Sequence, residues 1–129
     1  MEIRLRAESG NIHEAMYSVN KELAVAGCPE TDMQLIDVVI DEVMENISSY
    51  AYEDGGEMVI GARCTQGSVE LTFTDWGVAY NPLENADPDF TAEPRIGGLG
   101  IFLYKNIMDT AEYKRKDEAN VLILTKNWS

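Results

Sequence analysis

Three short groups of residues in this chain combine side chains and spacings that could do chemistry. The first is the pair Glu42 and Asn46, which are four residues apart. An amide oxygen is a hard, neutral ligand of the kind that Mg²⁺ accepts together with phosphate and water oxygens. A neighbouring carboxylate can position or deprotonate a hydroxyl group or a water molecule for phosphoryl transfer. The pair therefore indicates a polar reaction site. The alternative interpretation is that both residues simply lie on a partly solvent-exposed side of a helix.

The second group is Asp75-Trp76-Gly77, which directly follows a strand-like run. An aspartate at the end of a strand can accept a hydrogen bond from an exocyclic amine, and Gly77 would let a flat ring approach the backbone. Asp and Gly also favour strand-terminating turns, so a plain turn is the alternative here.

The third group is the glycine cluster Gly97-Gly98-Leu99-Gly100. A glycine-rich turn that runs into a helix presents free backbone N–H groups and the positive end of the helix dipole, which suit phosphate. The chain lacks the Gly-Lys-Ser/Thr of a P-loop, and no strand leads into the glycines as a Rossmann fingerprint requires. A simple loop-to-helix turn remains the alternative.

The element that carries Glu42 and Asn46 is predicted to be one helix over Asp32–Tyr52, begun by a capping box of Thr31 and Gln34. Apolar residues recur along it at steps of three and four, which predicts a core-facing stripe. Glu42 and Asn46 lie at the edge of that stripe. The acids Asp37, Asp41 and Glu45 fall on the opposite side, where we expect them in solvent.

The other elements follow from periodicity and turn residues. The pattern predicts strands at Glu2–Ala7, 58–65, 68–74, 111–116 and 120–125, a helix from Asn11 to Gly27 with Glu14 at its capping position, and a helix at Ile101–Asp109. The aperiodic stretch Val78–Ile96 between glycine motifs is interpreted as a functional lid. The order β-α-α-β-β-loop-α-β-β predicts an α+β fold: a two-layer sandwich with a largely antiparallel mixed sheet, helices on one face, and one domain over residues 1–129.

Composition excludes several classes of function. The 129 residues carry a formal net charge of −13, which argues against binding to nucleic acid or to anionic membranes. Two cysteines without CxxC spacing and a single histidine, His13, leave no zinc site and no Cys–His or Ser–His catalytic pair. No apolar run is long enough to span a membrane and the N-terminus is unlike a signal peptide, so the expected location is the cytoplasm.

Taken together, the segment from Glu42 to Asn46, the Asp75-Trp76-Gly77 segment and the glycine cluster resemble the N, G1 and G2 boxes of the Bergerat-fold ATPases. That superfamily includes gyrase, ninety-kilodalton heat-shock chaperones, sensor histidine kinases and mismatch-repair ATPases. The small size and the texture DWGVAYNP … IGGLGIFLYKNIMD are most similar to the anti-sigma factor serine/threonine kinases.

The resemblance implies a role for each residue group. Asn46 would hold Mg²⁺ and Glu42 would be the catalytic carboxylate. Asp75 would bind the adenine amine of ATP, and Gly77 would line the base pocket. The glycine cluster, of which Gly97 is the first residue, would bring backbone N–H groups from Gly98, Leu99 and Gly100 to the phosphates.

The resemblance also implies partners. The substrate would be a serine or threonine of a small antagonist protein, the second partner would be a sigma factor, and a homodimer would be usual. Two features depart from the family pattern: Tyr50 stands where a histidine is frequent, and Glu118-Ala119-Asn120 replaces a glycine-rich turn before the last strand. The leading hypothesis is a protein kinase that regulates a sigma factor by partner switching. Its alternatives are a non-catalytic, nucleotide-gated binding module and, disfavoured by the isolated His13, a fragment of a histidine kinase.

Overall fold

The computed structural model describes residues 1–84 and 98–128. Within them the chain forms five strands and three α-helices in the predicted order: β1 (Glu2–Arg6), α1 (Ile12–Val25), α2 (Glu30–Tyr50), β2 (Glu57–Thr65), β3 (Ser68–Asp75), α3 (Gly98–Ile107), β4 (Thr110–Lys116) and β5 (Ala119–Asn127). The α+β class is confirmed. Gly97 and the predicted lid from residue 85 onwards lie outside the described residues.

The sheet has the strand order β1-β2-β3-β5-β4, and each neighbouring pair is antiparallel. The described sheet is thus more regular than the mixed sheet that was expected. After α3 the chain reaches the edge of the sheet first and returns through the β4–β5 hairpin. β5 therefore lies beside β3 and runs opposite to it.

The core lies between the sheet and the helices. Along β3, buried residues alternate with half-buried ones, as a sheet with one covered face requires. The predicted stripe of α2 supplies the opposing layer with six buried side chains: Ile36, Val39, Ile40, Val43, Met44 and Ile47. This packing fixes both the rotation of α2 about its axis and the direction in which Glu42 and Asn46 point.

Two expected helix starts differ in the structure. α2 begins at Glu30 after Pro29, whose carbonyl accepts a hydrogen bond from the Met33 N–H at 3.0 Å, and no side chain caps it. The predicted capping box at Thr31 therefore lies inside the first turn. Asn11 does precede α1, but its side chain donates to the Arg6 carbonyl at 3.0 Å, so no capping box forms with Glu14. Thus neither predicted capping box forms, although Asn11 is the residue before α1 as expected.

Asp37 was expected in solvent, and this expectation was wrong. Its carboxylate is partly buried between α1 and α2 and accepts a hydrogen bond from Nδ2 of Asn20 at 3.0 Å. Burial raises the pKa of Asp37, and the hydrogen bond from Asn20 partly offsets that rise. None of the helices among the described residues is long and apolar enough to cross a membrane.

Candidate functional site

Glu42 and Asn46 are held on consecutive turns of α2, and both side chains are half-buried. Nδ2 of Asn46 is fully buried and finds no hydrogen-bond partner within the described part of the chain. An unpaired buried polar group costs about 1–3 kcal/mol. The described part of the fold therefore gains no hydrogen bond from this nitrogen, and a bound ligand is one explanation for such a group.

Glu42 lies against the start of α3. A Cβ atom added to Gly100 would overlap Oε2 of Glu42, so only glycine lets the carboxylate and the first turn of this helix come together. Burial raises the pKa of Glu42, and the neighbouring Asp41 and Glu45 raise it further. A carboxylate with a raised pKa is a better proton acceptor at neutral pH than an ordinary glutamate.

The Asp75-Trp76-Gly77 segment ends β3 on the other side of Asn46. Asp75 is only 5% exposed. Its Oδ1 accepts hydrogen bonds from the Gly77 N–H at 3.0 Å and from Nδ2 of Asn120 at 2.9 Å. Within the described residues no hydrogen bond reaches the other oxygen, Oδ2, so Asp75 keeps a free acceptor in the pocket that it lines.

Gly77 joins this turn to the end of α2. A Cβ atom at Gly77 would overlap the backbone carbonyl of Ala51, and the N–H of Val78 donates to the same carbonyl at 3.0 Å. The carbonyl of Gly77 accepts a hydrogen bond from Arg115 at 2.9 Å. The close approach that glycine permits thus fixes Asp75 relative to α2.

Two depressions meet at this point. The first, about 450 Å³ including the part that opens to solvent, is mostly apolar and contains Asp75 among its lining residues. The second, about 590 Å³ on the same basis, runs along α2 and the start of α3. Asn46 and Tyr50 line both of them. Among the described residues, those that line the second depression include no Lys or Arg: they are Glu42, Glu45, Asn46, Ser49, Tyr50, Leu99, Gly100 and Leu103.

Aromatic rings surround the first depression. The rings of Tyr50 and Tyr80 have centroids 6.2 Å apart at an interplanar angle of 31°. Tyr104 is 1% exposed, and burial, with a smaller effect of Tyr80, raises the pKa of its phenol far above the usual range. Such a pocket, apolar with one carboxylate acceptor, suits a flat heterocycle that carries an amine.

The structure brings together most of the residues singled out from the sequence. Glu42, Asn46, Asp75, Leu99 and Gly100 line the two depressions. Gly77, expected to line the base pocket, is not among the lining residues and instead packs against Ala51, which is one of them. Gly98 is the first residue of α3, so the helix begins inside the glycine cluster instead of at Ile101.

Asn120 was noted only as a departure from a family pattern, yet its side chain bonds directly to Asp75. The signal that would have found it is strand pairing, since Asn120 is the β5 residue in register with Asp75. The two residues are 45 positions apart in the chain, and their pairing has no local sequence signature.

The architecture has a counterpart among solved structures. The chain superposes on the crystal structure of the RsbU and RsbW domains of a Mycobacterium tuberculosis protein with a TM-score of 0.66 and 18% sequence identity. The match covers 99% of this chain and 31% of that one. At this identity the likeness establishes the fold.

The family follows from the sequence. The profile of the histidine kinase-like ATPase domain matches residues 5–126, so the chain belongs to the histidine kinase-like ATPase family. It is 31% identical to an anti-sigma F factor of Heyndrickxia coagulans, over 98% of this chain and 90% of that protein. The anti-sigma F factor of Halalkalibacterium halodurans is 30% identical over 84% of this chain and 78% of its own length.

A third relative, the serine-protein kinase RsbW of the same organism, is 29% identical, and the match spans 74% of this chain and 62% of that protein. The resemblance to the anti-sigma kinases, inferred from three motifs, is confirmed.

Proposed function

We propose that this protein is an ATP-dependent serine/threonine protein kinase that phosphorylates a small antagonist protein and sequesters a sigma factor. The observation that carries the proposal is the position of Asn46 between two depressions, one suited to a base and one beside a carboxylate and a helix start. A nucleotide that spans both would place its base near Asp75 and its phosphates near Gly98, Leu99 and Gly100. The names of the relatives support the kinase and sigma-factor parts of the proposal.

The residues present fit a magnesium ion that is bound mainly by phosphate. Among the described residues no group of three or more acidic, His or Cys side chains could hold a metal alone. Asn46 offers an amide oxygen, the atom of this side chain that can bind the ion, and its nitrogen has no hydrogen-bond partner among the described residues. Mg²⁺ usually takes few protein oxygens in addition to phosphates and water. When bound, the ion would neutralise phosphate charge. The described residues that line this depression include no Lys or Arg to do so, and the chain has a net charge of −13.

In this proposal Glu42 acts on the incoming hydroxyl group. It would accept the proton of the substrate serine as the oxygen attacks the γ-phosphate, and it would hold that oxygen in line. Its raised pKa suits this role because proton transfer is most effective when the pKa of the base is close to the working pH. Most of the catalysis would come from positioning, since phosphoryl transfer needs little covalent help from the protein.

Phosphotransfer from labelled Mg·ATP to a candidate antagonist protein tests the proposal. We expect the wild-type chain to label a serine or threonine of the antagonist. Asn46→Ala should lose the magnesium-dependent reaction, and Glu42→Ala should keep nucleotide binding while losing transfer. The matched control is Glu30→Gln, at an exposed acid in the first turn of the same helix. It should label the antagonist within about threefold of the wild-type rate, since it lies outside both depressions.

The outcomes separate the alternatives. Nucleotide-dependent binding of the antagonist without phosphotransfer would replace the kinase by a nucleotide-gated binding module. Full activity of Asn46→Ala would contradict the metal assignment. Equal loss of binding and transfer in Glu42→Ala would make Glu42 a structural residue.

A further inference from the structure

Asn120 is the most completely hydrogen-bonded side chain near the site. It lies on β5, is 6% exposed, and is one of two buried polar side chains among the described residues, the other being Asp75. Its Nδ2 donates to Oδ1 of Asp75 at 2.9 Å and to the carbonyl of Val78 at 2.8 Å. Its Oδ1 accepts the Tyr80 N–H at 3.3 Å and the Tyr113 hydroxyl at 2.5 Å.

The chemistry of these partners fixes the orientation of the amide. A carbonyl oxygen can only accept, and a backbone N–H can only donate, so the Asn120 nitrogen must face Val78 and its oxygen must face Tyr80. The nitrogen therefore also faces Asp75 as a donor. A flipped amide would set oxygen against oxygen on one side and nitrogen against N–H on the other.

The donor on Asn120 has two consequences for Asp75. Together with the Gly77 N–H it gives Oδ1 two hydrogen bonds, which fix the orientation of the carboxylate. It also leaves Oδ2 as the oxygen available to a ligand in the pocket. Asp75 is thereby held as a pure acceptor in one orientation.

We propose that Asn120 is a positioning and specificity-determining residue, which makes the pocket select a purine with an amine at position 6 over one with a carbonyl. This inference rests on the proposed binding of ATP. An amine can donate a hydrogen bond to Oδ2 of Asp75, whereas a carbonyl would face this acceptor oxygen without a proton between them. Through Val78 and Tyr80, Asn120 also fixes the backbone that forms the adjacent wall of the pocket.

The test compares the binding of Mg·ATP and Mg·ITP, which carries a carbonyl in place of the 6-amine, to the whole chain by calorimetry. We expect the wild-type protein to prefer Mg·ATP by about 10- to 100-fold, the range of one charge-assisted hydrogen bond. Asn120→Asp has the same size and keeps an acceptor for Tyr80 and Tyr113, but it sets a carboxylate oxygen against Asp75 and the carbonyl of Val78 in place of the donor. We expect its preference to fall about tenfold, mainly through weaker binding of Mg·ATP.

Asn127→Asp makes the same change at an exposed position of the same strand and should keep the wild-type preference. Asn120→Ala is a second arm that removes all four hydrogen bonds and should also lose selectivity. If it does not fold, Asn120→Asp decides the question.

A loss of affinity that is equal for both nucleotides would show a structural role only and would overturn the inference. An unchanged preference in Asn120→Asp would overturn it as well. If the wild-type chain binds neither nucleotide, the proposed function itself fails, and this outcome is distinct from the other two.

Discussion

The two ends of the candidate site are built in opposite ways. At the base end, Asp75 and Asn120 are buried, and the Asn120 amide has a hydrogen-bond partner on every side that faces the protein. At the phosphate end, Nδ2 of Asn46 is buried without a partner among the described residues, and the pKa of Glu42 is raised by burial and by neighbouring acids. One end is complete in the protein alone, and the other holds polar groups in unfavourable surroundings.

This difference indicates where selectivity and chemistry would lie. A completed network is rigid and presents a fixed pattern of acceptors, which is what recognition of one base requires. Unsatisfied groups reduce the stability of the free protein but are ready to interact with phosphates, an ion and a hydroxyl group. The following predictions, in order of decreasing effect on stability, test this contrast.

The largest effect is expected at the base end for Gly77→Ala. The new Cβ atom would overlap the backbone of Ala51, which cannot move without displacing the end of α2. We expect the free energy of unfolding to fall by about 3 kcal/mol, the upper part of the range for overpacking, and nucleotide binding to be lost. Urea denaturation measures the first effect. Gly10→Ala is the control and should unfold like the wild type, because a Cβ atom at Gly10 would meet no other atom within 4 Å.

The second prediction contrasts the two asparagines directly. Asn120→Ala breaks four hydrogen bonds and leaves buried groups unpaired, so we expect the free energy of unfolding to fall by about 2 kcal/mol. Asn46→Ala removes an amide whose nitrogen is already unpaired among the described residues, which relieves its burial cost while some packing is lost. We therefore expect the stability not to fall and to rise by up to about 1 kcal/mol. Parallel urea titrations check both values. An Asn46→Ala protein as unstable as Asn120→Ala would end the contrast between the two regions.

The third prediction concerns Gly100→Ala. Here the added Cβ atom meets the end of a flexible side chain, Glu42, which can swing away. Alanine favours a helix over glycine by about 0.5–1 kcal/mol, which offsets part of the crowding. Stability should therefore stay close to the wild-type value while phosphotransfer falls by at least about tenfold, since a carboxylate that has moved no longer reaches the hydroxyl group. Retained transfer would show that Glu42 acts without its contact to Gly100.

The smallest effect is a pH-dependent gain in Glu42→Gln. The pKa of Glu42 in the folded protein lies above its ordinary value of 4.5, so the ionised side chain disfavours the folded state at neutral pH. Below pH 4.5 the carboxyl group is protonated in both states and the penalty disappears. We expect Glu42→Gln to melt at a higher temperature than the wild type near neutral pH and at the same temperature in acid. A gain that persists in acid would have another cause than this charge.

Local patterns in the sequence determine much of this structure. The spacing of apolar residues in α2 predicts its buried face, and the same spacing puts Glu42 and Asn46 at its edge. The Asp-x-Gly segment is a turn of the kind its residues favour. The start of α1 at Asn11 was predicted, but its capping box was not formed because the Asn11 side chain donates to the carbonyl of Arg6. The start of α2 lies earlier than predicted, after Pro29, and no side chain caps it.

The contact between Asn120 and Asp75 could not be predicted from local sequence patterns, because the two residues are far apart in the chain. No sequence pattern near residue 120 indicates a contact with Asp75. Only the register of β5 against β3 places Asn120 beside Asp75. Likewise, helical periodicity alone puts Asp37 in solvent, whereas its partial burial depends on how α1 crosses α2. Contacts between distant segments are the part that local patterns do not encode.

The base pocket depends on the length of the turn between β4 and β5. Asp117 and Glu118 both have positive φ angles, 52° and 66°, in a two-residue turn whose preferred residues are Asn and Gly. This turn sets the register that pairs Arg115 with Asn120, and a shift of one residue would turn Asn120 to the opposite face of the sheet. An insertion or deletion of one residue here could thus erase the recognition of the base while every residue of the pocket stays the same.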